Sequence, residues 1–464
     1  MSSNTFVTIS PIDGSNYVER SYAGGDDIHS ALDKASAAQK SWKKVPLHER
    51  KALCTKAIDA FVAKKEQIAM EICRQMGRPI RSAAGEVGGL EERARTMIKL
   101  ADKGLAPVQL EEKPGFERWI DREPLGVVFV IAPWNFPYLT AINAVLPALL
   151  AGNSVILKHS AQTPLCAERL DEAFKAGGLP EGVFQYLHLT HTDTEAIIKD
   201  KRINHVAFTG SVPGGEMVEK AAAGRFIGVG LELGGKDPAY VREDADLAHA
   251  VDTSMDGAFY NSGQSCCGIE RVYVHEAVYE SFVQQAVAWV KALKLGRSDD
   301  PETTLGPLVR AGAAEFVRQQ TREAIAQGAV AHITAADYPL DKPGSAYLAP
   351  QLLTEVNHTM RVMTQESFGP VVGIQKVRSD EEAIALMNDS EFGLTAAIFT
   401  KDIDKGIELG RQIDTGTFFI NRCDYLDPNL AWTGVKNSGR GCTLSLLGYE
   451  SLTRPKSYHI KTTL

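Results

Sequence analysis

Cys266 lies in a segment whose residue types suit a reactive thiol better than a packed one. The segment reads Asn-Ser-Gly-Gln-Ser-Cys-Cys-Gly, with small and amide side chains in place of an apolar helix face. Because the thiolate is the nucleophile, a catalytic cysteine needs a polar, partly open environment with N–H donors nearby. The segment is therefore consistent with covalent catalysis at Cys266, and by itself it is also consistent with a buried structural thiol.

Glu232 and Asn135 each follow an apolar, strand-like segment, and α/β enzymes collect their active sites at strand ends. Burial raises the pKa of a carboxyl group, so Glu232, in Leu-Glu-Leu-Gly-Gly-Lys, can act as a general base. Asn135 stands between two prolines in Pro-Trp-Asn-Phe-Pro, which stiffen the turn and favour a fixed oxyanion donor. The alternatives are a surface glutamate and an asparagine that caps a turn.

A glycine-rich turn lies between a predicted strand and a predicted helix. It reads Phe-Thr-Gly-Ser-Val-Pro-Gly-Gly from residue 208, and small residues there allow backbone N–H groups to reach a phosphate at the helix N-terminus. The segment lacks the G-x-G-x-x-G fingerprint, so by itself it is only consistent with a dinucleotide site.

The elements that must position these residues begin after Gly126. Short β-branched runs alternate there with longer helical stretches, which is typical of a parallel sheet covered on both faces and of a doubly wound α/β fold. The predicted strands are Val127–Ile131, Ser154–Leu157, Val183–Leu187, Val206–Phe208 and Ile227–Leu231.

A second series of elements after Gly235 is long enough for a second α/β domain. It contains a predicted helix over Ala277–Leu293 and predicted strands at Arg271–Val274, Val371–Val377, Ala396–Thr400 and Thr417–Ile420. Two further segments, Glu117–Pro124 and Lys456–Lys461, alternate polar and apolar residues away from both series. They are expected to pair outside the main sheets, across a subunit interface or as a peripheral hairpin.

The composition of the chain argues against nucleic acids and membranes as binding partners. The chain has 464 residues and a formal net charge of −8, with no basic block, so nucleic-acid binding is not expected. Its longest apolar stretch, Leu139–Ala151, is too short to span a bilayer, so no membrane association is expected either. The 7 cysteines form no C-x-x-C pair, which predicts no metal site, and the N-terminal residues show no secretory signal, which predicts a cytoplasmic location.

Read together, these motifs resemble the aldehyde dehydrogenase superfamily. PWNFP, FTGS, LELGGK, FYNSGQSCCG, ESFGP and a late G-x-K-x-S-G-x-G occur in the family's order and at its spacing over essentially the whole chain. The resemblance implies a cofactor domain (1–105 and 125–236), a catalytic domain (237–434) and a small β oligomerisation flap (106–124 and 452–464). It also implies a homodimer or homotetramer.

The resemblance implies NAD(P)+-dependent oxidation of an aldehyde to a carboxylic acid through a thiohemiacetal and a thioester. Cys266 would be the nucleophile, Glu232 the base that activates water, and Asn135 an oxyanion donor. The residues expected to bind the cofactor are Trp134, Lys158, Ser160, Gly210, Ser211, Gly215, Glu366 and Phe368.

The cofactor segment departs from the family at Ala161. Many NAD+-preferring members carry a glutamate three residues after the Lys158 position, where it binds the ribose hydroxyls, and here that residue is Ala161. Losing this carboxylate removes a repulsion against a 2′-phosphate, which Lys158 and Ser160 are placed to bind. We therefore expect NADP+ to be accepted alongside NAD+, and a preference for NADP+ is the stronger form of this prediction.

The substrate side departs from the family as well. A Trp-Lys pair common in the family is replaced by Asn143-Ala144, which leaves the proton exchange of Glu232 without its lysine. Succinate-semialdehyde enzymes often have an arginine where this chain has Tyr260, so a substrate carboxylate would lack that anchor unless Arg422 replaced it. The nearby aromatic residues favour a neutral or aromatic aldehyde; they are Tyr260, Phe136, Tyr425 and Trp432.

Three other functions remain open from sequence alone. A relative that passes the thioester to coenzyme A or phosphate would not need a water-activating base, so Glu232 argues against it. A succinate-semialdehyde dehydrogenase is the second alternative. A non-catalytic protein with the same fold is the third, and the complete set of Cys266, Glu232 and Asn135 argues against it.

Overall fold

A computed structural model describes residues 5–463. Residues 1–4 and 464, which belong to the predicted cofactor domain and flap, lie outside the described residues. The α-helices, in chain order, are α1 (Gly25–Trp42), α2 (Leu47–Val62), α3 (Lys65–Met76), α4 (Ile80–Gly104), α5 (Pro137–Leu150), α6 (Pro164–Ala176), α7 (His191–Lys199), α8 (Val212–Ala222), α9 (Leu247–Phe259), α10 (Tyr279–Lys291), α11 (Ala311–Ala326), α12 (Arg361–Thr364), α13 (Asp380–Asn388) and α14 (Ile403–Gly410).

Shorter elements complete the secondary structure. Short 3-10 helices lie at Tyr260–Gly263, Ala335–Asp337 and Leu447–Leu452. The strands, in chain order, are β1 (Thr5–Ile9), β2 (Asn16–Ser21), β3 (Val108–Gln109), β4 (Phe116–Pro124), β5 (Val127–Ala132), β6 (Ser154–His159), β7 (Phe184–Tyr186), β8 (Ile203–Thr209), β9 (Gly228–Glu232), β10 (Asp237–Val241), β11 (Ile269–His275), β12 (Val330–Ala331), β13 (Gln351–Thr354), β14 (Val371–Val377), β15 (Phe392–Gly393), β16 (Thr395–Phe399), β17 (Thr417–Ile420), β18 (Val435–Lys436), β19 (Gly439–Arg440) and β20 (Thr453–Lys461).

The first sheet has the strand order β19-β9-β8-β5-β6-β7, and all but the edge strand β19 run parallel. Every residue of β5 is buried. Val128 and Val130 pack into one hydrophobic core, whereas Phe129 and Ile131 pack into another, because successive side chains of a strand point to opposite faces. The predicted parallel sheet with two covered faces is confirmed.

Strand β8 begins three residues before the strand predicted from Val206, at Ile203. Asn204 and His205 interrupt the apolar pattern that sequence analysis follows. The Asn204 side chain nevertheless has a structural role, because its Oδ1 accepts the Val127 N–H at 2.8 Å. His205 is buried, which lowers its pKa to about 4 and keeps the ring neutral at ordinary pH.

The second sheet has the order β12-β13-β14-β11-β10-β16-β17 and is parallel except at the edge strand β12. Its central strand β10 was absent from the predicted strands. The reason is chemical: Pro238 argues against a central strand, and Asp237 against a buried one. A register shift between these two residues accommodates the proline. The Asp237 carboxylate accepts the Thr395 N–H at 3.1 Å and the Thr395 hydroxyl at 2.6 Å.

The two alternating segments at 117–124 and 456–461 do pair outside the main sheets, as predicted. Strand β20 lies antiparallel to β4 from Thr453 opposite Pro124 to Lys461 opposite Phe116, with β3 on the other side of β4. The rings of Trp119 and Tyr458 stack across this pair with centroids 4.6 Å apart. The structure thus contains a small sheet where the oligomerisation flap is expected.

Helices α4 and α5 pack side by side next to the first sheet. Helix α5 begins two residues after Asn135, and Pro137 at its first position supplies a φ angle that suits a helix start. These two helices carry several of the side chains that face the cavity described below. Within residues 5–463, no helix is both long enough and apolar enough to cross a lipid bilayer.

Candidate active site

Cys266 and Glu232 both line one cavity of about 270 Å³. Cys266 follows the 3-10 helix after α9, and Glu232 is the last residue of β9. The cavity is also lined by Arg93 from α4 and by the aromatic side chains Phe136, Tyr260 and Trp432. Two residues 34 positions apart in the chain, a thiol and a carboxylate, are therefore available to one bound molecule.

The loop before Cys266 has an unusual backbone that the surrounding structure holds in place. Asn261 and Ser262 have positive φ angles of 54° and 58°, which are uncommon for residues with a Cβ. Gly263 also has positive φ, and a Cβ there would lie 2.2 Å from the Gly369 carbonyl oxygen, so only glycine fits. The Ser262 hydroxyl donates to the Gly306 carbonyl at 2.9 Å, and the Gln264 side chain accepts the Val309 N–H at 2.8 Å.

Cys266 differs from most cysteines of the chain in its surroundings. Its side chain is half-buried, whereas Cys54, Cys73, Cys166 and Cys267 are buried. Burial raises the pKa of Cys54 and of Cys73 to about 12, which makes them structural thiols at ordinary pH. The neighbouring Cys267 thiol lies 2.9 Å from a carboxylate oxygen of Asp424, and its pKa is also raised. Only Cys266 of these five lines the cavity in a half-open position.

The Glu232 carboxylate is held by two hydroxyl groups. Thr443 donates to Oε1 at 2.6 Å, and Thr209 donates to Oε2 at 3.2 Å. Burial raises the pKa of Glu232, while the two hydroxyls and the positive charge of Arg93 lower it. The result is a carboxyl group with a raised pKa and a fixed orientation beside the cavity, as a general base requires.

Asn135 is buried between β5 and α5, and its amide faces the Cys266 loop. Its Nδ2 donates to the main-chain oxygen of Gln264 at 3.3 Å, two residues before Cys266. The main-chain carbonyl oxygen of Asn135 accepts hydrogen bonds from Arg78 Nη2 at 2.6 Å and from Asn261 Nδ2 at 3.2 Å. The turn that carries Asn135 is thus bonded to the loop that carries the thiol.

A buried ion pair that sequence analysis missed supports this turn. Arg78 is 1% exposed and pairs with Glu86 of α4. The other oxygen of Glu86 accepts the N–H groups of Tyr138 and Leu139 at 2.9 and 3.0 Å, in the first turn of α5. The Arg78 guanidinium lies 4.5 Å from the centre of the Phe136 ring. No sequence pattern connects Arg78 with Glu86, so their support of the Asn135 turn becomes visible only from their burial and contacts in the structure.

Lys158 is a half-buried cation at the end of β6, and its ammonium group has no hydrogen-bond or ion-pair partner within residues 5–463. Burial lowers its pKa. Ser160 accepts the Gln162 N–H through its hydroxyl at 3.2 Å. The exposed Ala161 presents only a methyl group, and its carbonyl oxygen accepts the Thr8 hydroxyl at 2.8 Å. A cation without a protein partner fits a site for an anionic ligand group.

The glycine-rich turn connects the first sheet to α8. The Gly210 N–H donates to the Glu232 carbonyl at 3.0 Å, which ties the turn to the end of β9. Ser211 caps α8 by accepting the Gly214 N–H at 3.4 Å. A Cβ at Gly215 would lie 2.8 Å from the Leu233 side chain, so a larger residue would separate α8 from the sheet. The positive end of α8 is therefore close to the base-carrying strand.

Glu366 and Phe368 belong to the second α/β series of elements and lie next to residues of the first series. Glu366 accepts the Gly235 N–H at 2.9 Å, and burial together with the nearby Glu270 charge raises its pKa to about 8. A Cβ at Gly234 would lie 2.6 Å from this carboxylate, which explains a glycine there. The Phe368 ring meets the Trp134 ring edge to face, with centroids 5.6 Å apart.

Comparisons with known proteins agree with this geometry. A model described as the aldehyde dehydrogenase family matches residues 1–458. The chain belongs to this family. An NAD(P)+-dependent succinate semialdehyde dehydrogenase of Escherichia coli strain K12 is 34% identical over 446 residues, 95% of each chain. An NADP+-dependent succinate-semialdehyde dehydrogenase of Deinococcus radiodurans is 33% identical over 97% of this chain and 94% of its own length.

A solved structure shows the same fold. The succinic semialdehyde dehydrogenase of Streptococcus pyogenes, in complex with NADP+, superposes with a TM-score of 0.94 at 30% identity, over 98% of this chain and 100% of that one. The predicted fold class and the predicted enzyme class are confirmed. The chain is an NAD(P)+-dependent aldehyde dehydrogenase that acts on small aldehydes.

Arg422, the alternative carboxylate anchor, is not among the residues that line the cavity with Cys266. It lines an adjoining cavity that shares Tyr425, Leu426 and Trp432 with the first, and its guanidinium lies 3.8 Å from the centre of the Tyr425 ring. Tyr260 and Phe136 do line the cavity, with parallel rings 6.4 Å apart. Sequence analysis missed Arg93, which lies in helix α4 away from any motif, and Thr443, which lies two residues after the late G-x-K-x-S-G-x-G motif.

Proposed function

We propose that this aldehyde dehydrogenase works through Cys266, Glu232 and Asn135. The observation that carries the proposal is that Cys266 and Glu232 face one cavity, while the Asn135 amide bonds to the loop of the thiol. The first step forms a bond between the Cys266 sulfur and the aldehyde carbon, and the carbonyl oxygen becomes an oxyanion. Asn135 Nδ2 and a backbone N–H of the Cys266 loop stabilise that charge, typically by about 3–4 kcal/mol per donor.

Bound NAD(P)+ supplies the acceptor for the hydride that leaves the same carbon, and the acyl group then remains on sulfur as a thioester. Glu232 removes a proton from water as the water oxygen attacks the acyl carbon. The carbon–sulfur bond breaks, and the products are the carboxylic acid and the Cys266 thiolate. Thr443 and Thr209 orient the Glu232 carboxylate for this step, and their hydrogen bonds favour its ionised form against the burial that raises its pKa.

The cofactor residues fit an anionic dinucleotide. Lys158 provides the half-buried cation without a protein partner, and the N-terminus of α8 after Gly210 and Ser211 favours a negative charge. Glu366 offers a carboxyl group for hydrogen bonds with ribose hydroxyls. Gly215, Trp134 and Phe368 would shape the path of the cofactor.

We propose that NADP+ is preferred over NAD+. No carboxylate stands at Ala161 to repel a 2′-phosphate, and Lys158 and Ser160 lie within a few residues of it. Two of the relatives named above are NADP+ enzymes, or were solved with NADP+, which supports the proposal. Steady-state kcat/KM values for both cofactors test it, and a clear preference for NAD+ would contradict it.

The domain division and the assembly stay proposals. The first sheet draws its parallel strands from residues 127–232 and the second from residues 237–420, in agreement with cofactor and catalytic domains at 1–105 with 125–236 and at 237–434. Strand β19, at 439–440, adds a late segment to the first sheet. We assign the small sheet of β3, β4 and β20 to the proposed oligomerisation flap of a homodimer or homotetramer. Sedimentation velocity measures the subunit number.

Succinate semialdehyde is the substrate we propose to test first, because the relatives named above act on it. The decisive experiment on the mechanism is a rapid quench of enzyme with aldehyde and NADP+, followed by mass spectrometry of the acylated peptide. We expect the acyl group on Cys266, its loss in Cys266→Ala and its retention in the matched variant Cys267→Ala. An acyl group on Cys267, or a product that forms only with coenzyme A, would overturn the proposal.

A further inference from the structure

Arg93 of α4 brings an unpaired guanidinium into the cavity that holds Cys266 and Glu232. The residue is 9% exposed. Its Nη1 donates to the Leu139 carbonyl at 3.0 Å and to Asn143 Oδ1 at 3.1 Å. Within residues 5–463, its Nε and Nη2 have no hydrogen-bond acceptor, and no carboxylate forms an ion pair with it.

The acidic neighbours of Arg93 have other partners. Glu86 forms its ion pair with Arg78, and Glu232 accepts hydroxyl bonds from two threonines. A guanidinium stays ionised at any ordinary pH, and Glu86 and Glu232 offset the charge of Arg93 only at a distance, without a direct ion pair. An anionic ligand group in the cavity would supply the directly bonded partner that the described residues do not provide.

The two donors left free have the geometry of a carboxylate site. Nε and Nη2 lie on one edge of the planar guanidinium and point their N–H bonds in the same direction, which matches the two oxygens of a carboxylate. The bonds from Nη1 to the α5 residues Leu139 and Asn143 fix the plane of the group. Both oxygens of a ligand could therefore be bound without a change in the position of Arg93.

The other charges around the cavity direct an anion to Arg93. Arg78 is the other cation on the cavity wall within the described residues, and Glu86 neutralises it. The remaining ionisable carboxyl groups on the wall are Glu92, Asp256 and Asp424, together with Glu232. Burial raises the pKa of Asp256 and of Glu232, and that of Asp424 to about 7, so these groups repel an anion less than free carboxylates do. Within the described residues, Arg93 is then the cation on the cavity wall that a substrate carboxylate can pair with directly.

We propose that the free edge of Arg93 binds a carboxylate carried by the substrate, so that the preferred substrates are semialdehydes of short dicarboxylic acids. The inference rests on the proposed function, because the aldehyde end must lie at Cys266. Arg93 supplies, from helix α4, the cation that is missing at Tyr260. A cavity of about 270 Å³ has room for a short-chain semialdehyde.

The test compares succinate semialdehyde with butanal, which has the same number of carbon atoms and no carboxylate. We expect wild-type kcat/KM to favour the semialdehyde. In Arg93→Met the ratio of the two kcat/KM values should fall about 100-fold, mostly through KM for the semialdehyde, because a charge-assisted bidentate contact is lost. Arg93→Lys keeps the charge without the bidentate edge and should restore part of the ratio.

A binding measurement separates this inference from the mechanism. Succinate should raise the Tm of the wild type more than butyramide does, because butyramide has four carbon atoms and no carboxylate, and this difference should vanish in Arg93→Met. The inference is overturned if both aldehydes lose the same factor in Arg93→Met, because Arg93 then acts on Glu232, or if the wild type shows no preference. If the wild type oxidises neither aldehyde, the proposed function fails, and the succinate–butyramide difference still decides the role of Arg93. Should Arg93→Met not fold, Arg93→Lys and the wild-type Tm values carry the decision.

Discussion

Replacing Thr443 by valine removes the shorter of the two hydroxyl bonds that hold the Glu232 carboxylate. Thr443 Oγ1 lies 2.6 Å from Oε1, whereas Thr209 Oγ1 lies 3.2 Å from Oε2. Both bonds stabilise the ionised carboxylate and lower its pKa, against the burial that raises it. Valine has nearly the shape of threonine, so the substitution removes a donor while changing little volume.

The expected shift follows from the strength of that bond. A hydrogen bond to a charged group contributes about 1.5–3 kcal/mol, and one pKa unit corresponds to about 1.4 kcal/mol. Since the cavity admits water that can replace part of the lost bond, we expect the Glu232 pKa to rise by about 1 unit in Thr443→Val. A base works only when ionised, so the acid limb of kcat should move by the same amount to higher pH.

The assay is the pH dependence of kcat with a substrate whose thioester hydrolysis limits the rate. Thr443→Ser keeps the hydroxyl and should leave the acid limb in place. Thr209→Val removes the longer bond and should shift it less than Thr443→Val does. An acid limb that is unchanged in Thr443→Val, or that moves to lower pH, would show that Glu232 is not the titrating base.

Three further substitutions test other parts of the site. Glu232→Gln should release one rapid equivalent of reduced cofactor per site in stopped flow and then turn over at least about 100-fold more slowly; loss of the burst as well would assign Glu232 to the first step. Ala161→Glu should lower kcat/KM for NADP+ relative to NAD+ by about tenfold or more, and an unchanged ratio would contradict the role of this position. Glu86→Gln leaves Arg78 buried without its counter-charge, so the free energy of unfolding measured in urea should fall by about 3–5 kcal/mol, whereas an unchanged midpoint would mean that the pair contributes little.

Sequence analysis found the parts of the fold that follow apolar periodicity. The predicted strands of both sheets occur because β-branched runs such as 127–131 and 371–377 can be buried on two faces only in a parallel sheet. Motif residues at strand ends could be assigned for the same reason. Cys266 and Glu232 indeed line one cavity, while their catalytic roles remain predictions until the acyl-enzyme is trapped.

What sequence analysis missed are polar residues whose partners are distant in the chain. Strand β10 was overlooked because Asp237 and Pro238 are unlike a central strand, and only the hydroxyl and N–H of Thr395 make the buried aspartate acceptable. Thr443 follows a short edge strand and gives no signal until its hydroxyl is seen on Glu232. The residue types at these positions depend on hydrogen bonds with distant parts of the chain, which a local sequence pattern does not reveal.

The substrate end of the cavity contains a residue that sequence analysis did not single out. Tyr260 and the aromatic residues around it favour a neutral or aromatic aldehyde, because the arginine expected beside Asn261 is absent. In our proposal the cation comes from α4, where Glu86 and Arg93 are seven residues apart and thus share one helix face. Both side chains form hydrogen bonds with Leu139 of α5: Glu86 accepts the Leu139 N–H, and Arg93 donates to the Leu139 carbonyl oxygen. The contacts that fix the Asn135 turn therefore also fix where a substrate carboxylate can bind, so a change in the packing of α4 on α5 should alter rate and specificity together.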